Sequence, residues 1–372
     1  MNTILMFKLN PDFPLSIEID RLILLFLALL YLAFGFASVF MGSSMFRLMG
    51  GLTGAFFIAY FLMVYRARVL VPALVALLMI VFILFSEERN LLSGLFFVLA
   101  LFSSLCLSVL IRDYSLGFLL VKTPLVLFSF FLLYLHFVRG FGPNEFNDVF
   151  QGYSRNGVGS ILLAFSIGYV WYCVEKGTRP SLLLGLIVFF LMFPLYGRAN
   201  IFGGAVVFFL IAYLNIGLVG SFVLALLCFG VLAAGYGYIS EFFLEKTNFG
   251  AGIESARSEM IKGYVRETDL KSLFLGTDLS KVEAIVEHGG NPHNSFLRAH
   301  SYFGLISIVM GLFFALGILL LLSNSLMVLT SLALVFLGRA YLDIIYFGNL
   351  FDFLMLGPFL HFFRPARSRL CL

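Results

Sequence analysis

Toward its C-terminal end the chain reads GGNPHNSFL, Gly289 to Leu297. His293 is the residue in it whose ordinary pKa allows proton exchange near neutral pH. Asn291 and Pro292 predict a helix start. Asn is a strong N-cap, and Pro tolerates the first helical position because its missing N–H would be unsatisfied there anyway. Gly289 and Gly290 permit a sharp entry. On this reading His293 and Asn294 occupy the first turn. His293, Leu297, His300 and Gly304 then share one stripe, and Asn294, Arg298 and Ser301 the next. The positive end of a helix would keep His293 neutral and gather anions beside it. A neutral base next to an anion suits one chemistry well: taking the proton of a hydroxyl that attacks a carbon bearing a phosphate leaving group.

Arginines could supply the anion site. Arg198 in LYGRANIFGG and Arg155 in GYSRNGVGS each open an apolar stretch, and Arg339 ends one. Charges at the edge of such stretches are functional candidates, the alternative being anchoring at lipid headgroups. Guanidinium forms forked, charge-assisted bonds to phosphate oxygens. In Ile253–Tyr264, the residues Ile253, Arg257, Met260, Ile261 and Tyr264 fall on one helical stripe, while Glu254, Glu259 and Lys262 point elsewhere. A charge on the apolar stripe is costly without a partner, which marks Arg257. A metal site is the rival reading, from His288, His293 and His300 with Glu283 and Glu287. Their spacing matches no known ligand pattern, so no metal and no cofactor are expected. His136 and His361 lie in or beside apolar runs and read as packing residues. The 4 cysteines, Cys106, Cys173, Cys228 and Cys371, show neither metal nor disulfide spacing.

These residues must be positioned by elements that suit lipid. The 372-residue chain is 61% hydrophobic and 12% charged, the profile of a polytopic membrane protein. A span needs about 20 apolar residues, and the runs divide into roughly 12 helices. These are 21–40, 46–65, 69–85, 91–111, 119–138, 157–174, 181–196, 199–214, 217–238, 302–322, 325–342 and 344–363. The expected class is therefore all-α, with spans one to nine over 1–238, one long loop over 239–301, and spans ten to twelve with a basic tail over 302–372. Arg66, Arg68, Arg112, Lys122, Lys176, Arg179, Arg364, Arg367 and Arg369 then share one side, which should be the cytoplasm. The long loop, the densest run of charge, falls on the other side. Residues 1–20 hold Asp12, Glu18 and Asp20 and show no cleavage pattern, so no removed signal peptide is expected. A net charge of +4 is too weak to argue for nucleic acid.

With the residues laid out, the chain resembles the O-antigen polymerase/ligase superfamily of bacterial envelope glycosyltransferases. HNSFLRAHSYFG from His293, GRANIFGGAVVFFLIAYL from Gly197, SRNGVGSILLAFSIGYVWY from Ser154 and ARSEMIKGYV from Ala256 are similar to that family's motifs, in its order, over roughly 150–310. The resemblance implies a GT-C-like helical fold in the bacterial inner membrane with a periplasm-facing site. It implies His293 as base for the acceptor hydroxyl, and Arg198 and Arg257 on the diphosphate of an undecaprenyl-diphosphate-linked oligosaccharide. Asn294 would orient His293 or the acceptor, with Arg155, Arg298 and Arg339 in support. The reaction would be metal-independent and inverting. Protein partners would be a chain-length regulator and a flippase. Ligases of the superfamily usually carry Leu where this chain has Phe202, and Gly, Thr or Tyr where it has Ser307. Polymerisation is thus expected over transfer to lipid A-core. Two other classes compete. A lipid-linked sugar flippase would suit the span count, but no internal repeat is visible. A membrane scaffold would not need the His-Asn pair or the outer arginines.

Overall fold

The computed structural model describes residues 17–362 apart from 66–69, 89, 152, 196, 235–255 and 345–346. Asp12, Arg66, Arg68, Arg89, Ile253, Glu254, Arg364, Arg367, Arg369 and Cys371 lie outside the described residues, as does the first part of the long loop. Among the described residues every regular element is helical and no strand occurs.

The first half holds α1 (Ile17–Met41), α2 (Ser44–Tyr65), α3 (Leu70–Phe85), α4 (Leu91–Asp113), α5 (Thr123–Leu133), the short α6 (Pro143–Val149) and α7 (Arg155–Glu175). Wider π-turns at Phe118–Lys122 and Tyr134–Val138 extend α5 at both ends. Then come α8 (Leu182–Leu191) and α9 (Arg198–Ala234). Beyond the undescribed stretch lie α10 (Ala256–Glu267), α11 (Leu270–Leu275), α12 (Glu283–Val286), α13 (Ser295–Phe303), α14 (Leu305–Ser323) and α15 (Met327–Leu342). Among the described residues 7 helical stretches are long and apolar enough to cross a membrane. That fits an all-α membrane protein, and the remaining apolar helices, such as Leu182–Leu191, are shorter than a full span. The central helix is α7, 89% of whose span is buried inside the protein, against 11% for α14 at the periphery.

Two boundaries differ from those expected, while another is met: α9 is two helices meeting at Gly217, with φ 73° and ψ 180°, where the expected spans 199–214 and 217–238 adjoin. Only glycine adopts that backbone readily. The halves 198–216 and 218–234 face each other across an apolar cavity of about 260 Å³ lined by Ala205, Phe208, Phe209 and Ala212 on one side and Leu224, Ala225 and Cys228 on the other. The helix expected over 302–322 begins earlier and is cut at Gly304, whose φ is 48°. A Cβ there would run into the Phe274 carbonyl, so the chain can turn at that point only with glycine.

The second difference is the largest. The described residues of 344–363 do not form the expected helix. From Asp343 the chain runs irregularly, with single 3-10 turns at Asp352–Leu354 and Gly357–Leu360, through the middle of the bundle. Phe347, Leu350, Phe351, Phe353, Leu354, Met355 and Leu356 are all buried. Irregular backbone at that depth is tolerated only where protein encloses it and satisfies its polar groups. Here side chains do so. Asp352 Oδ2 accepts the Gly348 and Asn349 amides at 2.8 and 2.9 Å. Ser108 donates to the Phe353 carbonyl, and Arg112 to the Leu360 carbonyl at 2.8 Å. Gly348 takes φ 99°, and at Gly357 a Cβ would strike the Trp171 ring. The segment joins the end of the bundle carrying Arg339 to the opposite end, where His361 meets Glu175.

Residues 256–303 form a small cap over the end of the bundle, with its own core of Met260, Tyr264, Leu279, Val282 and Ile285. The short 86–88 connection fastens it. Ser86 donates to the Ser301 carbonyl at 2.6 Å, and Glu88 accepts the Leu279 amide at 3.2 Å. Glu87 takes both Lys271 and Lys281, at 3.2 and 2.6 Å.

Candidate functional site

The helix opened by the His-Asn pair starts later than its sequence suggested. Asn294, not Asn291, is the N-cap: its side chain accepts the Phe296 and Leu297 amides at 2.9 and 3.1 Å. Asn291 instead accepts the His293 amide at 2.8 Å, closing a turn before the helix. His293 therefore stands outside α13, in the left-handed region at φ 46°. That conformation is uncommon for a non-glycine residue, though His is among the types that visit it. The stripe joining His293 to His300 is broken as a result. His300 faces the cap: its Nε2 donates to the Leu273 carbonyl at 3.1 Å, which leaves Nδ1 to accept from the Tyr264 hydroxyl at 2.7 Å. Both nitrogens are committed, and His300 is structural.

α10 carries Arg257 as its spacing predicts. Met260 and Tyr264 are buried on the same stripe, Arg257 is half-buried beside them, and Glu259 and Lys262 are exposed. Burial is the first cause that lowers the Arg257 pKa from its ordinary value. Asp343 opposes that shift, and Arg339 and Arg198 add to it. These three groups from α9 and α15 are therefore close enough for their charges to act on Arg257. His293 is held below the usual imidazole range, first by burial and next by Arg257, with Asp343 opposing. The expected neutrality of His293 thus has a cause other than the helix end: enclosure and a neighbouring guanidinium. Among the described residues its ring makes no hydrogen bond.

Four elements converge here because polar side chains tie them together. Asn200 of α9, buried, donates to the Asn156 carbonyl of α7 at 2.8 Å and accepts from Ser160 at 3.2 Å. Arg339 of α15 donates to Ser160 and pairs with Asp343 at 3.2 Å. Ser295, the first residue of α13, donates to the Asp343 carbonyl. Glycine makes the approach possible, since a Cβ at Gly159 or Gly197 would meet the Asn200 amide. The short polar motifs SRNGVGS and GRAN are thus a joint between helices. Arg155 and Arg198 each stand at the first position of the helix that the joint fixes.

In the structure Arg257 acts by its charge on His293, and Arg198 and Arg339 act by theirs on Arg257. The structure adds Asp343, which sequence reasoning missed. The one available signal was its place four residues after Arg339, one helical turn on. Asn156, Ser160, Asn200 and Ser295 were missed as well. Arg298 has its guanidinium 5.9 Å from the Tyr302 ring, and its charge reaches Glu88 and Tyr153. Asn294 acts through the backbone as a cap. Three or more His, Cys, Asp or Glu side chains placed to hold a metal occur nowhere among the described residues. His288, one of the rival ligands, pairs with the Ala284 carbonyl at 2.9 Å.

The site gathers guanidiniums around one carboxylate, Asp343, beside an imidazole held below its usual pKa range. No family model matches this chain, and neither a curated protein nor a solved structure matches it.

Proposed function

We propose that the protein is a membrane glycosyltransferase that polymerises lipid-diphosphate-linked glycan repeat units on the outer face of the bacterial inner membrane. The observation that carries this reading is that Arg257 acts by its charge on His293 while Arg198 and Arg339 act by theirs on Arg257. Three guanidiniums against one carboxylate leave a net positive pocket, which suits a diphosphate. The resemblance of the same segments to the O-antigen polymerase/ligase superfamily points the same way.

The chemistry follows from the placement. The donor's diphosphate sits among the guanidiniums with its anomeric carbon toward His293. The acceptor hydroxyl attacks that carbon from the opposite face. The new glycosidic C–O bond forms as the bond to the diphosphate oxygen breaks. The hydroxyl proton passes to the His293 imidazole, and the lipid diphosphate departs with the bond's electron pair on its own oxygen, the charge held by the guanidiniums. Configuration inverts. The apolar cavity between the halves of α9 begins about 10 Å along the helix from Arg198, at 1.5 Å per residue. That suits the donor's isoprenoid chain. In this reading eleven helical crossings are completed by the irregular segment 343–362, which places the cap in the periplasm.

The test is a gel of the surface glycan from cells lacking the gene and complemented by variants. Arg198→Ala and Arg257→Ala are each expected to leave single repeat units. A charge-assisted bond contributes about 1.5–3 kcal/mol, so transfer should fall at least tenfold. Arg198→Lys is expected to fail as well, because ammonium cannot fork. Full-length polymer from both alanine variants would overturn the proposal. Free lipid-linked polymer beside unmodified core would indicate a ligase.

A further inference from the structure

The short helix α11 carries its apolar residues outward. Leu270, Leu273 and Phe274 lie on one stripe, at i, i+3 and i+4, and are 75%, 38% and 47% exposed. Its polar residues are engaged elsewhere. Ser272 is buried and exchanges hydrogen bonds with the N-cap Asp269, at 2.7 and 2.8 Å. Lys271 reaches aside to Glu87 at 3.2 Å. A helix with one face in water shows the opposite pattern, polar side out. A single exposed apolar side chain is ordinary on any surface, but three on one stripe of a six-residue helix mark a contact face.

The position of α11 decides what covers that face. It packs against α13 and α14. The approach is closest at the break between them. A Cβ on Gly304 would meet the Phe274 carbonyl, and one on Gly276 would meet the carbonyls of His300 and Ser301. α11 therefore ends where α14 begins. α14 has 19 residues, is a peripheral span, and exposes Ile308, Val309, Leu312 and Phe313. Its length, about 28 Å at 1.5 Å per residue, matches a hydrocarbon core of about 30 Å. The span is used in full, so Gly304 stands at the edge of the core and α11 at the membrane surface beside it. The exposed stripe of α11 thus adjoins the lipid-facing surface of α14.

We propose that α11 is an interfacial helix, sunk by Leu270, Leu273 and Phe274 into the surface of the bilayer, and that lipid is the partner of this face. Helices of this kind bury their apolar side about 5–10 Å into the boundary of headgroups and acyl chains. The anchor is tied to both helices of the cap that carry the candidate site. The Leu273 carbonyl accepts from His300 Nε2 at 3.1 Å, and His300 Nδ1 accepts from the Tyr264 hydroxyl at 2.7 Å. His300 belongs to α13, which His293 precedes, and Tyr264 to α10, which carries Arg257. The bilayer thereby sets the height of the cap, whatever reaction the site carries out.

The experiment is spin-label accessibility on the full chain in vesicles of phosphatidylethanolamine and phosphatidylglycerol, with the 4 native cysteines replaced by alanine. A nitroxide is attached in turn through Leu273→Cys, Phe274→Cys or Lys262→Cys, Lys262 being exposed on α10. Labels at 273 and 274 are expected to collide more with lipid-soluble oxygen than with a water-soluble nickel chelate, and the label at 262 the reverse. Variants are compared only where their thermal melts equal that of the unlabelled chain. Water-like collisions at both 273 and 274 overturn the proposal. Spin–spin broadening at 273 that vanishes on dilution with unlabelled chain would assign the face to a second copy and overturn it too. The anchoring role has its own readout. Leu270→Asn, Leu273→Asn and Phe274→Asn together should speed hydrogen exchange of the α10 amides in vesicles and leave that of α7 as in the wild type. Unchanged exchange in α10 would show that the bilayer does not hold the cap.

Discussion

At the scale of residues, the proposal rests on a histidine whose protonation is set by burial and by neighbours from other elements. His293 is held below its ordinary pKa by burial and by Arg257, while Asp343 pulls the other way. A group depressed in this way stays a competent base to lower pH. It also lowers folding stability as pH falls below the unfolded value, because only the unfolded chain binds the proton there. The acid limb of the pH–rate profile is therefore expected below the usual imidazole value. Arg257→Gln should move it upward, and Asp343→Asn should move it further down, as read from kcat/KM against pH. An unmoved limb in both variants would mean that another group titrates. The residue types were legible in the sequence, since a lone His-Asn pair and stripe-breaking arginines stand out in apolar text. The cause of His293's neutrality was not, because it depends on burial and on Arg257 and Asp343, which belong to separate parts of the chain that no local spacing relates.

At the scale of elements, the sequence read well where one period dominated. The Arg257 stripe of α10 follows the 3.6-residue repeat through Met260, Ile261 and Tyr264. It read poorly where several local signals competed. The stretch 344–363 has enough apolar residues to span, and hydropathy alone makes it a helix. Gly348, the Asn349 side chain that accepts the Phe351 amide at 3.1 Å, Asp352 and the Gly357-Pro358 pair together override that pattern. Asp352 is central, and its two amide bonds replace those a helix would have made. Asp352→Ala leaves these buried amides without an acceptor, at a cost of about 1–3 kcal/mol each. A clear fall in melting temperature in detergent is expected, smaller for Asp352→Asn, which keeps an acceptor. Equal melts for alanine and wild type would show that the carboxylate does not hold the segment. The choice between Asn291 and Asn294 as cap was likewise open in sequence. Pro292 fits the first helical position only if Asn291 is the cap, and the placement of the amides decides for Asn294.

At the scale of the whole molecule, the parts divide by task. α7 and the irregular core segment give a rigid centre. The polar joint of Asn156, Ser160, Asn200 and Arg339 fixes the ends of three helices. The cap, fastened through Glu87, Glu88 and Ser86, carries Arg257 and His293. The proposed site draws on all of these parts. The central claim is that this site is catalytic through His293, and one measurement addresses it most directly. The purified protein in lipid is given undecaprenyl-diphosphate-linked repeat units, and glycosidic bond formation is followed by gel for wild type and His293→Asn. Asparagine suits the left-handed backbone at 293 and is not a base, so the variant should fold with an unchanged melt. The account predicts a loss on the order of 10²–10⁴ in rate, with donor binding retained. Polymer formed by His293→Asn at the wild-type rate would contradict it.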